Sequence, residues 1–186
     1  MFDEVKLNRE RGSVWTLSGR KILSPPLVFH KYPSVLEEEF GKRAWEMFHS
    51  IVSKEAERMT YKFLDSAPVS KYLREKNPGL EEVIKLVLGL LEAEGHGVIE
   101  LVDCQLPEKS ATLRVVNSPM SEEYKERIGE SSRPVCDYSA AVFSGVFSAI
   151  YGRELACVEV KCSAMGEEYC EFKVILPEKK LDYQLL

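Results

Sequence analysis

The stretch Arg133–Val174, RPVCDYSAAVFSGVFSAIYGRELACVEVKCSAMGEEYCEFKV, decides the fold. Its first half reads as a helix that starts at Pro134 or Val135 and ends near Tyr151-Gly152. Val142, Phe143, Val146, Phe147 and Ile150 flank a row of small residues, Ala141, Gly145 and Ala149, spaced four apart. Positions four apart share a helix face, so one face has almost no side chain. A helix this apolar is buried on nearly all sides, against a sheet or a second helix. The second half alternates. Leu155–Lys161 and Tyr169–Leu176 read as antiparallel strands joined by a loop carrying Met165-Gly166. Four of the five cysteines punctuate these junctions. Cys136 opens the helix, Cys162 and Cys170 bracket the loop, and Cys157 lies on the first strand. The small helix face is expected to let Cys136 approach the hairpin.

Upstream, Val98–Cys104 and Ala111–Val116 form a second hairpin, followed by a short helix near Glu122–Ile128. Before these come helical patterns. Ser34 and Glu37 have capping-box spacing, and apolar residues then recur to about Leu64 with a break near Gly41. Ala67–Lys76 and Leu80–Ala93 are two more helices, the latter closed by Gly95-His96-Gly97. The N-terminus holds two β-prone runs, Val14–Leu17 and Lys21–Leu23, stopped by Pro25-Pro26. The expected organisation is an arm of strands over 1–33, one ligand-binding-sized domain over 34–176 and a tail over 177–186. Helices and hairpins segregated in this order imply an α+β fold with an antiparallel sheet covered by helices.

The 186 residues suit one domain. A net charge of −5 argues against nucleic acid as the main partner. No apolar run is long enough to span a bilayer, and the charged start MFDEVKLNRERGSV lacks the apolar centre of a signal peptide. A cytoplasmic protein with reduced thiols is expected.

Two readings of the cysteines stand side by side. Cys136, Cys162 and Cys170, with Glu159 three residues before Cys162, can complete a tetrahedral zinc site that leaves no position for substrate. Alternatively they are ordinary buried thiols. Their spacing matches no standard zinc finger or ribbon. Cys104 and Cys157 read as core residues. His30, His49 and His96 are scattered without a partner at ligand or triad spacing. No GxSxG, GxGxxG, P-loop or HExxH is present. Glu100 and Asp103 are expected on opposite faces of their strand and so form no carboxylate pair.

Three segments carry a resemblance: RVVNSP, PVCDYSAAVFSGVFSAIYGRE and VEVKCSAMGEEYCEF. Together they resemble the 4-vinyl reductase domain family, over about Arg114 to Val174. The resemblance implies an α+β fold similar to TRAPP subunits and to NO-signalling ligand-binding domains. It implies zinc held by Cys136, Glu159, Cys162 and Cys170, a homodimer, and an aromatic or hydrocarbon ligand in a buried pocket beside the zinc-bearing hairpin. Val115, Phe143, Phe147 and Cys157 are the expected pocket residues. Neither Val115 nor Cys157 copies a phenol hydrogen-bonding pair, so a more apolar ligand is expected.

The function expected from these observations is a hydrophobic-ligand-binding or sensor domain with a structural zinc, not an enzyme. Two alternatives are an enzyme or accessory subunit acting on a vinyl tetrapyrrole, and a structural subunit of an assembly with an unidentified protein partner.

Overall fold

The computed structural model of the protein describes residues 6–8, 13–16, 19–21, 26–105 and 110–177. The 106–109 part of the hairpin connection and the tail beyond Pro177 lie outside the described residues, as do Ile22-Leu23.

Three short strands come first: β1 (Lys6–Asn8), β2 (Ser13–Thr16) and β3 (Gly19–Lys21). They form an antiparallel sheet of their own in the order β1-β2-β3. The run Val14–Leu17 read from sequence overlaps β2, whereas Lys21–Leu23 shares only Lys21 with β3 and otherwise lies outside the described residues; β1 was too short and polar to read.

Helix α1 spans Pro26–Phe40 and α2 Lys42–Asp65. The helix therefore begins well before Ser34, which lies inside it. Pro25-Pro26 stops the strand region, but proline also fits the first turn of a helix, where no intrahelical N–H partner is needed. The break at Gly41 is as expected: its φ of 76° is open to glycine and strained for other residues. Helices α3 (Ala67–Lys76) and α4 (Leu80–Ala93) match their sequence patterns. In α4 the Glu82 carboxylate accepts the Gly79 N–H at 3.0 Å, and Ile84, Val87, Leu88 and Leu91 are buried. At its other end the His96 N–H donates to Leu91 O and the Gly95 N–H to Glu92 O, the paired bonds of a Schellman stop.

The second sheet holds β4 (Val98–Gln105), β5 (Ser110–Val116), β6 (Ala156–Lys161) and β7 (Cys170–Ile175). Its order is β4-β5-β7-β6 and every pairing is antiparallel. Helix α5 (Pro119–Arg127) follows β5, and α6 (Asp137–Tyr151) precedes β6. Helices cover one face of this sheet. Ile99, Leu113, Val115, Phe172 and Val174 point into the core they share with Phe63, Ile84, Phe143 and Phe147. This is the α+β layering expected from the sequence.

Both edge strands carry a bulge, one between Leu101 and Asp103 and one between Glu159 and Lys161. A bulge adds one residue and flips the alternation beyond it. On β4 it turns Glu100 and Asp103 to the same solvent-facing side, contrary to the strict alternation assumed from sequence. Glu100 there pairs with Arg114 on β5 (3.1 Å).

Helix α6 is buried from Ser139 to Ala149. Its small face meets α2, not the hairpin. A Cβ placed on Gly145 would lie 2.0 Å from the Ser53 carbonyl oxygen and 2.9 Å from Ala56 Cβ. The two helices touch backbone to backbone, so the row Ala141–Gly145–Ala149 serves helix packing. Cys136 reaches the hairpin because it lies at the mouth of the helix, beside the start of β7.

Candidate metal centre and apolar cleft

The four residues singled out in the sequence converge. The ligand atoms of Cys136, Glu159, Cys162 and Cys170 all lie within 4.8 Å of one another. All three cysteines are fully buried. Each is placed by a different junction. Cys136 caps α6 at its N-terminus, Cys162 follows β6, and Cys170 begins β7. Between the last two, a short 3₁₀ turn at Ser163–Met165 closes with Gly166. Glu159 and Cys162 are three apart, and in an uninterrupted strand they would face opposite ways. The bulge after Glu159 brings both inward. This detail made the Glu-x-x-Cys spacing workable, and it was invisible to a period-two reading.

The donor set fits a divalent metal. Cys136 Sγ and Cys170 Sγ are 3.8 Å apart, and two thiolates bound tetrahedrally at about 2.3 Å from a zinc ion would be separated by about 3.8 Å. Glu159 Oε2 accepts the Cys136 N–H at 2.8 Å. Its other oxygen, Oε1, is buried with no hydrogen-bond partner, a costly arrangement for a carboxylate unless it coordinates something.

The electrostatics of the cluster say the same. Burial and the neighbouring Cys170 push the Glu159 carboxyl up to about 8. Hydrogen bonds to Cys162 and Cys170, and burial, hold the Cys136 thiol well above its ordinary range. Cys162 is pulled down by its contact with Cys136 but, through Cys170 and burial, ends at about 12. Cys170 alone is lowered, by the thiols of Cys136 and Cys162 and by Ser121. Four acidic groups share one buried space, where burial and mutual repulsion oppose charging them together. A dication supplies the positive charge that lets all four ionise.

Three serines surround the sulfurs, and none was read from the sequence. Ser121 Oγ lies 3.4 Å from Cys170 Sγ and accepts the Ser163 hydroxyl at 2.6 Å. The Ser163 N–H donates to Cys170 Sγ at 3.4 Å. Ser118 Oγ lies 3.6 Å from Cys136 Sγ. Ser118 and Ser121 are buried although α5 is a mostly polar helix. Serine is too common at helix starts for its spacing alone to signal this.

The expected pocket residues are placed differently. Phe143 and Phe147 are fully buried, and Phe143 packs edge-on to Phe172 at 5.0 Å. Val115 faces the core from β5. None of the three lines the apolar cleft, which lies between helices, not against the sheet. That cleft, about 280 Å³, is bounded by α2, α4 and α6, with Ala56, Met59, Val87, Leu91, Val142 and Val146 on its walls. Cys157 is buried and its thiol raised by burial. It borders a second cleft, of about 380 Å³ beside Glu159, whose walls mix apolar groups such as Trp45, Ala140 and Val158 with Lys42, Arg133 and Asp137. Cys104 is half-buried, with its sulfur 3.4 Å from the Tyr151 hydroxyl. His49 packs on Trp45, and His96 stacks near Tyr138.

Residues 115–176, from β5 to β7, match the family model of the 4-vinyl reductase domain. The fold is that of the 4-vinyl reductase domain. The match covers a third of the chain and includes all four clustered residues. Over most of the chain the fold is similar to solved structures of low sequence identity. The phenol-responsive sensory domain of the transcription activator PoxR, solved with phenol, is 16% identical with a TM-score of 0.70, over 92% of this chain and 84% of that one. A vinyl-4-reductase family protein from Methanocaldococcus jannaschii is 14% identical with a TM-score of 0.50, over 83% and 82%. A weaker likeness is to trafficking protein particle complex subunit 3 from Naegleria fowleri, covalently bound to palmitic acid. It is 11% identical with a TM-score of 0.46, over 82% and 95%. No curated protein matches the sequence. Among the described residues no helix is long and apolar enough to cross a membrane.

Proposed function

We propose that this chain is a small-molecule-binding domain, acting as a sensor or carrier. Its fold is clasped by one structural zinc ion, and its ligand is hydrophobic or aromatic. The observation that carries the ligand reading is the apolar cleft between α2, α4 and α6. A core filled to ordinary density leaves no such space, and concave apolar sites with few polar groups are the usual form of small-ligand pockets. The likeness in fold to a phenol-responsive sensory domain supports this reading.

Zinc is favoured over other ions by the donor chemistry. Three soft thiolates and one carboxylate in a closed tetrahedral arrangement suit zinc and leave no open position. Cys136, Cys162, Cys170 and Glu159 would hold it, and its chemistry here would be charge neutralisation and cross-linking of α6 to the β6–β7 hairpin. The reading also includes a homodimer, supported by the exposure of Phe40 and Ile51 on α1 and α2.

A thermal-shift and native mass-spectrometry screen with small aromatics and aliphatics tests the ligand reading. A binder is expected whose affinity falls at least tenfold in Met59→Trp, which fills the cleft. A screen without binders, or binding indifferent to Met59→Trp, would sink it. Elemental analysis should find one zinc per chain, and light scattering a dimer.

A further inference from the structure

The four clustered residues are not buried alike. Cys136, Cys162 and Cys170 have no exposed surface, whereas Glu159 is half-buried. Glu159 lines the cleft of about 380 Å³ between α2, the start of α6 and β6, and none of the three cysteines does. The apolar cleft and a smaller polar one beside Ser144 and Ser148 touch none of the four. Strand β6 is the last in its sheet, so no strand among the described residues pairs along its outer edge. The cleft has a mouth and a floor. The Lys42 and Arg133 side chains are 80% and 65% exposed at its rim, while Ala140 and Cys157 are buried. The sulfurs are also better held than the carboxylate. Cys170 Sγ has the Ser163 N–H and the hydroxyls of Ser121 and Ser163 beside it, and Cys136 Sγ has Ser118. Glu159 Oε2 accepts the Cys136 N–H at 2.8 Å, but Oε1 has no hydrogen-bond partner.

We propose that this cleft is the route by which the metal ion reaches and leaves the cluster, and that Glu159 is the arm that opens and closes it. This rests on the cluster holding a metal ion. A carboxylate is a harder donor than a thiolate and the less suited of the two to zinc. Its side chain swings on several torsions, whereas a cysteine sulfur moves on χ1 alone. Glu159 is therefore the last ligand to bind and the first to release, and the three sulfurs stay in place as the floor of the site. A chelator or a competing ion entering from solvent meets Glu159 before any sulfur. Metal exchange then proceeds in the folded chain, without opening the β6–β7 hairpin or withdrawing α6.

The test uses the full zinc-loaded chain under reducing conditions. Bound zinc of one isotope is exchanged for an excess of another, and native mass spectrometry follows the rate. Val158→Trp and Lys42→Trp place a bulky ring on the cleft wall and at its mouth, at positions exposed enough to spare the fold. Each is expected to slow exchange about tenfold while zinc affinity, from chelator competition, stays within about threefold. Blocking a path raises the barrier equally in both directions and leaves the equilibrium alone. Val98→Trp, exposed on the opposite edge strand β4, should change neither quantity. Glu159→Ala should speed exchange about tenfold and weaken binding, since the arm is gone. Exchange at the wild-type rate in both cleft variants would overturn the inference. So would a rate that climbs with urea in step with global unfolding, or no acceleration in Glu159→Ala. With one zinc still bound per chain, such results leave the metal reading standing. A wild-type chain without zinc would remove the metal reading, and the route with it.

Discussion

Cys170 is the residue on which most of the buried electrostatics turns, since its sulfur is in contact with two thiols, two hydroxyls and a backbone N–H. Cys170→Ser should drop zinc content from about one per chain to near zero by elemental analysis. Because structural metal binding is folding free energy, a loss of about 3 kcal/mol is expected, or roughly 6–12 °C in Tm at this chain length. Ser121→Ala is subtler. It removes one of the two hydroxyls beside Cys170 Sγ and the 2.6 Å acceptor of the Ser163 hydroxyl, leaving that hydroxyl only the sulfur. Zinc affinity, measured by chelator competition, should fall about 10–100-fold with the fold intact, as for other outer-shell partners of metal ligands. His49 gives a pH test. Burial lowers its pKa below 6.5, so the unfolded chain takes up the proton first as pH falls. Above pH 6.5 neither state is charged and nothing is lost; below it, stability declines until the folded-state pKa is reached. His49→Gln should flatten the pH 5–7 slope of urea-unfolding stability relative to wild type. At this scale the sequence was legible wherever chemistry marks itself. Cys136, Glu159, Cys162 and Cys170 stood out as metal-binding types. Ser118 and Ser121 did not, because a hydroxyl takes its role only from what packs beside it.

Among the elements, the contact of α2 with α6 is the least forgiving. Gly145→Ala would drive a methyl group into the Ser53 carbonyl, so the helices must move apart. A cost of about 3 kcal/mol is expected from overpacking, seen as a lower urea midpoint at unchanged m-value. Gly89→Ala, inside α4 with nothing within 4 Å of the new methyl, is the contrasting case. It should be neutral or stabilising by up to about 1 kcal/mol, because alanine restricts the unfolded chain. The small-residue row in α6 was visible in the sequence, but its partner was not. Spacing reports that a face is flat; it cannot say which of two neighbours lies against it. The start of α1 was misread for a related reason. Pro25-Pro26 carries both a stop signal for a strand and a start signal for a helix, and Ser34–Glu37 offered a plausible cap that lies inside the helix.

For the whole molecule, the alternation of apolar residues, the turn dipeptides and the order of helices and hairpins determined the α+β class, since each reflects local backbone physics. They left Cys136, Glu159, Cys162 and Cys170 open between a metal site and ordinary buried thiols, and only the resemblance to the 4-vinyl reductase family pointed to metal. The tertiary structure alone decided that those four meet, through a β-bulge that reverses the alternation after Glu159. It decided equally that Phe143, Phe147 and Val115 are packed in the core, while an apolar cleft opens between α2, α4 and α6. A cavity is a mismatch between packed surfaces, and a filled core and a lined pocket draw on the same apolar residues.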